Sequence, residues 1–138
     1  VKRIVIGIII LLLLWIYSND NIVAQVIAGE ACGEGYKGMY AVACVIQNRA
    51  KLTNKSPSQI VTKKYQFASL HNPKLKVLYY SVKPIANLLA YRIGTLKDIT
   101  KGATLFENIE RFGKPSWYNK VIKTCKIGRH TFFKEKEN

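Results

Sequence analysis

Acidic side chains are scarce in this chain, with 8 Asp and Glu against 22 Lys and Arg among 138 residues, a formal charge of +14. Histidine is scarcer, His71 and His130 only, and there are 3 cysteines. No C-x-x-C or His-rich spacing occurs, so neither a metal nor any other cofactor is expected. With 9 Gly and 4 Pro the chain is neither collagen-like nor of low complexity, and no internal repeat divides it. An apolar share of 49% is too high for a disordered tail and, at this length, fits one domain with its own core.

The apolar residues are unevenly spread. Lys2 and Arg3 precede the uncharged run Ile4 to Tyr17, and Ser18-Asn-Asp-Asn21 follows it. Basic residues before an apolar run and polar ones after it have the polarity of an inserted signal, so residues 1–19 are expected to form a signal anchor or transmembrane segment. Residues 20–138 then form the functional domain, outside the cytoplasm and attached to the membrane through residues 4–17. As a helix that run is roughly 21 Å long, short of the roughly 30 Å hydrocarbon core, which makes it marginal as a permanent span. The best small-residue cleavage site, Ile22-Val-Ala24, falls inside the first helix of the domain.

Beyond that segment 20 basic residues face 8 acidic ones, a balance that favours polyanions such as cell-wall polymers or anionic headgroups. Export argues against nucleic acid as a partner, and a monomer is expected. Cys32, Cys44 and Cys125 allow one disulfide with one thiol left over, and the sequence does not choose the pair. Cys44 lies in an apolar helical run and reads as a small buried hydrophobe.

Ile22, Val23, Val26 and Ile27 recur at helical spacing behind a cap at Asn19 or Asp20, in a short helix that ends at Gly29-Glu30. A second helix is expected over 36–52, with Met39, Tyr40, Ala43 and Ile46 inward. Ser56-Pro57-Ser58-Gln59 has the form of a capping box. The segment 73–93 reads as two helical pieces divided at Pro84, with Gly94 just past the end. The last third, with Val121 to Ile127, Gly128-Arg129 and His130 to Phe133, reads as a small β-hairpin. The fold class is therefore α+β, mainly helical, with a C-terminal hairpin and an N-terminal hydrophobic helix.

With so few carboxylates, their placement is informative. Glu30 and Glu34 occur in Ala28-Gly-Glu-Ala-Cys-Gly-Glu-Gly35, among small residues at the end of an apolar helix. A carboxyl there is partly desolvated, and desolvation favours the protonated form that a general acid needs. The competing reading makes Glu30 structural, for instance a partner of Arg49, and Glu34 a turn or network residue.

The stretch Ile27-Ala-Gly-Glu-Ala-Cys-Gly-Glu-Gly-Tyr-Lys-Gly38, followed by Ala41-Val-Ala-Cys-Val-Ile-Gln-Asn-Arg49, resembles the opening of the SleB/CwlJ-type cell-wall hydrolases. Gln66-Phe67, Gly102-Ala-Thr with Phe106 and Asn108, Trp117, and Ile127-Gly-Arg-His-Thr-Phe-Phe133 continue the resemblance over roughly residues 22–134. Cys32 departs from the usual Arg, and Phe106 and Phe133 stand where Tyr is common, removing two phenol hydroxyls from substrate binding.

The resemblance implies a lysozyme-like domain that cleaves the peptidoglycan glycan strand, with Glu30 as catalytic acid/base. One carboxyl suffices for a lytic transglycosylase. Hydrolysis by water needs a second, for which Glu34 is the nearest candidate and Glu107 a more distant one. Gln66, Asn108 and His130 are then expected to bind sugar substituents, and Phe106 and Trp117 to stack on pyranose rings. A signal-arrest-release endolysin of phage type also has this layout. A reading from another class, a membrane-tethered basic module that binds an anionic polymer without cutting it, leaves Glu30 structural.

Overall fold

A computed structural model of the chain describes residues 1–63, 67 and 72–137, apart from the side chains of Tyr17 and Lys76. Gln66 and His71 lie outside the described residues. The helices are α1 (Lys2–Ser18), α2 (Ile22–Ala31), α3 (Gly35–Thr53), α4 (Pro57–Val61), α5 (Pro73–Arg92) and α6 (Ile109–Phe112). The strands are β1 (Leu105–Glu107), β2 (Val121–Ile127) and β3 (His130–Glu135), and short 3₁₀ turns occupy Cys32–Glu34 and Tyr118–Lys120.

Helix α2 is the centre of the helical body. Asn21, not Asn19 or Asp20, caps it, its side chain accepting the N–H groups of Val23 and Ala24 at 2.9 and 3.2 Å. Asp20 instead pairs with Lys83 of α5 at 3.0 Å. Ala24 and Ala28 let α5 approach closely at Ala86 and Tyr79, and Val26 and Ile27 pack on α3 and α4. The helix runs past Gly29 to Ala31, so Glu30 lies within its last turn.

Helix α3 is buried without interruption from Ala41 to Gln47, a broader inner side than its spacing suggests. One flank meets the helices, and the other, through Ala41 and Val45, meets the sheet at Ile127 and Phe132. The Ser56 capping box forms as its sequence predicts.

Helix α5 corrects one expectation, because it passes through Pro84 as a single helix. Pro84 is on the exposed side, where the carbonyl deprived of its helical donor is near water, while Ala86, Asn87 and Leu89 anchor the buried side. The expected hairpin gains a third strand. β1 and β2 both pair antiparallel with β3, in the order β1-β3-β2, with Phe106 opposite Phe132 and Ile127 opposite His130. β1 has only three residues and no period-two signal long enough to read.

All three cysteines are free, and the one disulfide that their number allows is not formed. Cys44 is buried, and desolvation pushes its thiol up to about 11. The N-terminal segment is helical, but among the described residues no helix is long and apolar enough to cross a membrane.

Candidate active site

The helical body and the sheet enclose a cleft of about 980 Å³. Glu30 lines it, because it lies one turn beyond Val26 and Ile27 on the same side of α2 and is half-buried where that side leaves the core. A carboxylate in the last turn of a helix is at the negative end of the helix dipole. Arg49 of α3 offsets that charge. Its Nε donates to the Thr104 carbonyl at 2.5 Å and its guanidinium lies 5.1 Å from the Phe67 ring centre. Burial holds Arg49 below its usual pKa, and the charge of Glu30 opposes that shift.

Glu34 has a different environment from Glu30. The Arg129 backbone N–H donates to its Oε2 at 2.8 Å and the Arg129 Nε to its Oε1 at 2.7 Å. The backbone hydrogen bond from Arg129 is the main cause that holds Glu34 below the ordinary carboxylate range, against the opposing effect of burial. Two glycines make room for it. A Cβ at Gly38 would lie 2.2 Å from the Glu34 Cβ, and one at Gly128, where φ is +58°, would lie 2.1 Å from Oε2. Glu34 thus ties the turn after Glu30 to the β2–β3 turn. Gly38 and Gly128-Arg129, in two separate sequence motifs, turn out to serve one carboxylate.

The loop that enters β1 is fixed by neighbouring residues of α3. Gln47, fully buried, accepts the N–H groups of Gly94 and Leu96 at 2.8 and 3.0 Å and donates to the Leu96 carbonyl at 3.0 Å. Asn48 donates to Asp98 at 3.1 Å and to the Ala103 carbonyl at 2.9 Å. Burial raises the Asp98 pKa, but hydrogen bonds from Thr100, Gly102 and Asn48 outweigh it and leave Asp98 below the usual range. Gln47 and Asn48 therefore orient the sheet wall, and Arg49, next in sequence, reaches the cleft.

On that wall Phe106 packs edge-on to His130 at 5.1 Å and tilted on Phe132 at 5.8 Å. Burial lowers the His130 pKa, against the charges of Glu34, Glu30 and Glu107, so the imidazole is neutral at neutral pH. Its Nδ1 is buried with no hydrogen-bond partner among the described residues. Asn108 caps α6 by accepting the Arg111 N–H at 3.1 Å, and its own N–H donates to Glu107 at 2.8 Å. Trp117 stands edge-on to Phe133 at 5.4 Å.

The structure thus gathers Glu30, Glu34, Phe106, Asn108, Trp117 and His130 around one cleft, while Gln66 lies outside the described residues. Phe133 is buried beneath Trp117 and does not line the cleft, so of the two absent phenols only that at Phe106 bears on it. The sequence reading did not anticipate the part of α5 in the wall, through Asn72, Leu75 and Leu78, or that of Arg111 and Phe112. Helical periodicity does not single them out, because Leu75 continues the core stripe of α5 one turn before Tyr79 and reads in sequence as another core residue. Cys32 also lines the cleft. No group of three or more His, Cys, Asp or Glu is placed to hold a metal among the described residues.

Residues 33–133 match the family described as Cell Wall Hydrolase. The matched segment begins just after Glu30 and takes in Glu34, β1, β2 and β3 as far as Phe133. Among solved structures, the catalytic domain of the germination-specific lytic transglycosylase SleB from Bacillus anthracis is similar, with 26% identity and a TM-score of 0.65. The similarity covers 82% of this chain and 91% of that one. No curated protein matches.

Proposed function

This chain belongs to the cell wall hydrolase family, and from that premise we propose that it cuts the glycan strand of peptidoglycan by lytic transglycosylation, with Glu30 as the single acid/base. The observation that carries this reading is the place of Glu30 in the cleft wall next to Arg49. Glu30 lines the cleft beside the half-buried Arg49 cation, and both oxygens of Glu34 are engaged by Arg129 in tying the two walls together. A carboxylate so stabilised is a weak base, and a general base works best with a pKa near the operating pH.

In the proposed reaction Glu30 protonates the oxygen of the β-1,4 bond that leaves C1 of N-acetylmuramic acid. Arg49 stabilises the carboxylate that forms, since the charge appears in a site already arranged for it. Glu30 then takes the proton of the muramic C6 hydroxyl as that oxygen attacks C1, and a 1,6-anhydro sugar results. No water enters, so no second carboxylate is needed. The Asn108 carbonyl oxygen is engaged in capping α6, which leaves its amide N–H groups for an N-acetyl carbonyl. Trp117 and Phe106 offer apolar faces to sugar rings, and neutral His130 takes a sugar substituent. Helix α1, apolar and behind Lys2-Arg3, holds the domain at the outer face of the membrane.

The test is mass spectrometry of fragments released from purified peptidoglycan by the full chain and by its Glu30→Gln variant. Ends in 1,6-anhydromuramic acid, from the unaltered chain alone, are the expected result. Reducing muramic ends would mean hydrolysis, and would direct attention to Glu107, which lines the same cleft. Equal release by both proteins would rule out Glu30.

A further inference from the structure

Helix α5 has a second exposed side, away from the cleft and the core. Val77, Tyr80, Pro84, Leu88 and Tyr91 recur at spacings of three and four, and each is exposed, Val77 at 70% and Tyr80 at 54%. The helix has no acidic residue, while Lys74 and Arg92 stand exposed near its two ends. An apolar stripe on a purely basic helix matches an anionic lipid surface. It does not suit a second copy of this chain, which would bring two such basic helices together.

The stripe is continuous with α1. Trp15 stacks on Tyr91 at 5.2 Å. The last carbonyls of α1 are held from α5, since Asn87 Nδ2 donates to the Ile16 carbonyl and to that of Asn19 at 3.0 Å, and Lys83 Nζ donates to Ser18 at 3.1 Å. The apolar segment is therefore fixed to the domain along α5 and does not hang from it by a loose linker. Its 17 residues give about 25 Å of helix, less than the roughly 30 Å of hydrocarbon. To cover α1 with lipid, the domain must sit close against the headgroups, and α5 is what it then presents.

We propose that α1 and the outer face of α5 form one lipid-facing surface, so that the domain lies on the anionic membrane along α5. This rests on the reading of α1 as a membrane anchor. Asn72, Leu75 and Leu78 place the other end of α5 in the cleft wall, so the cleft is held within about one helix length, roughly 30 Å, of the bilayer.

The test uses the full chain in vesicles of three parts phosphatidylcholine to one part phosphatidylglycerol, with some lipids brominated near the top of the acyl chains. Leu88→Trp, made in a Trp15→Phe, Trp117→Phe background, is compared with Leu52→Trp, which places an indole at an exposed position on α3. Because an interfacial helix sinks its apolar face about 5–10 Å, bromine should quench the position 88 indole at least about twofold and leave that at 52 unchanged. Equal response at the two positions, with Trp15 of the parent chain still quenched, overturns the α5 surface and leaves the anchor in place. No quenching of Trp15 either means that the anchor reading itself has failed. An indole at 88 shielded from aqueous acrylamide but untouched by bromine means that a second copy covers the face, and also overturns the proposal.

Discussion

The two walls of the cleft are held in place by different forces. On the helical side Val26, Ile27, Val42 and Ile46 are fully buried, and Glu30 is positioned because α2 has a single way to bury them. The sheet side, besides packing Ile127 and Phe132 on Ala41 and Val45, is tied to the helices by polar links: Glu34 to Arg129, Asn48 to Asp98, and Gln47 to Gly94 and Leu96. Apolar packing tolerates little change of volume but is indifferent to pH. Directional polar links respond to pH and to the loss of single atoms. The wall with Glu30 should therefore fail by unfolding, and the facing wall should also be able to fail by losing its geometry.

The sharpest test of the chemistry is Glu30→Gln, which should reduce glycan cleavage by a factor of roughly 10²–10⁴, the usual contribution of a general acid, with the melting temperature nearly unchanged. On the same wall, Ile46→Ala removes a fully buried side chain and should destabilise by about 2–5 kcal/mol in urea unfolding, while cleavage per folded molecule stays close to the parent value. A large fall in specific activity for Ile46→Ala would break the contrast. On the opposite wall, Gly128→Ala drives a Cβ into Glu34 at a positive φ and should destabilise by about 1–3 kcal/mol, with reduced cleavage by the folded fraction. Combined with Glu34→Ala it should add only the cost of the positive φ, since the clash and the link are then already gone, and fully additive effects in a double-mutant cycle would show the two to be independent.

The pH dependence sharpens the comparison further. Because Glu34 is held below its ordinary value, its link stabilises fully above the ordinary carboxylate pKa and is lost as pH falls through the lowered one. Glu34→Gln should reduce stability at neutral pH by about 1–2 kcal/mol, discounted for the exposure of Arg129, and should flatten the acid limb of the stability profile. Asp98 and Glu110, lowered in the same direction, contribute further slope. The smallest effect is expected at the far end of α2, where Asn21→Ala should lose about 1 kcal/mol by thermal melting without altering cleavage.

What the sequence reveals follows the same division. Local signals were legible: the Ser56 capping box, Gly94 after α5, the periodic apolar residues of α2, and the turn at Gly128. Pro84 misleads, because a missing N–H interrupts a helix only where tertiary packing fails to hold it, and Ala86, Asn87 and Leu89 hold α5 from the other side. β1 is too short to signal itself and exists because β3 offers it a partner. The cleft residues were legible as a set of separated motifs, whereas the Glu34–Arg129 link spans 95 positions and leaves no local trace. Two glycines that make space for a carboxylate read, in sequence, as ordinary turn residues.

The order of strands in the sheet also has a consequence for the timing of activity. β3 is the central strand, and it follows every other described element in the chain. Until it is delivered, β1 has no neighbour, Glu34 has no Arg129, and the cleft has one wall. Synthesis delivers Glu30 early, but the cleft is complete only once β3 has been made and paired.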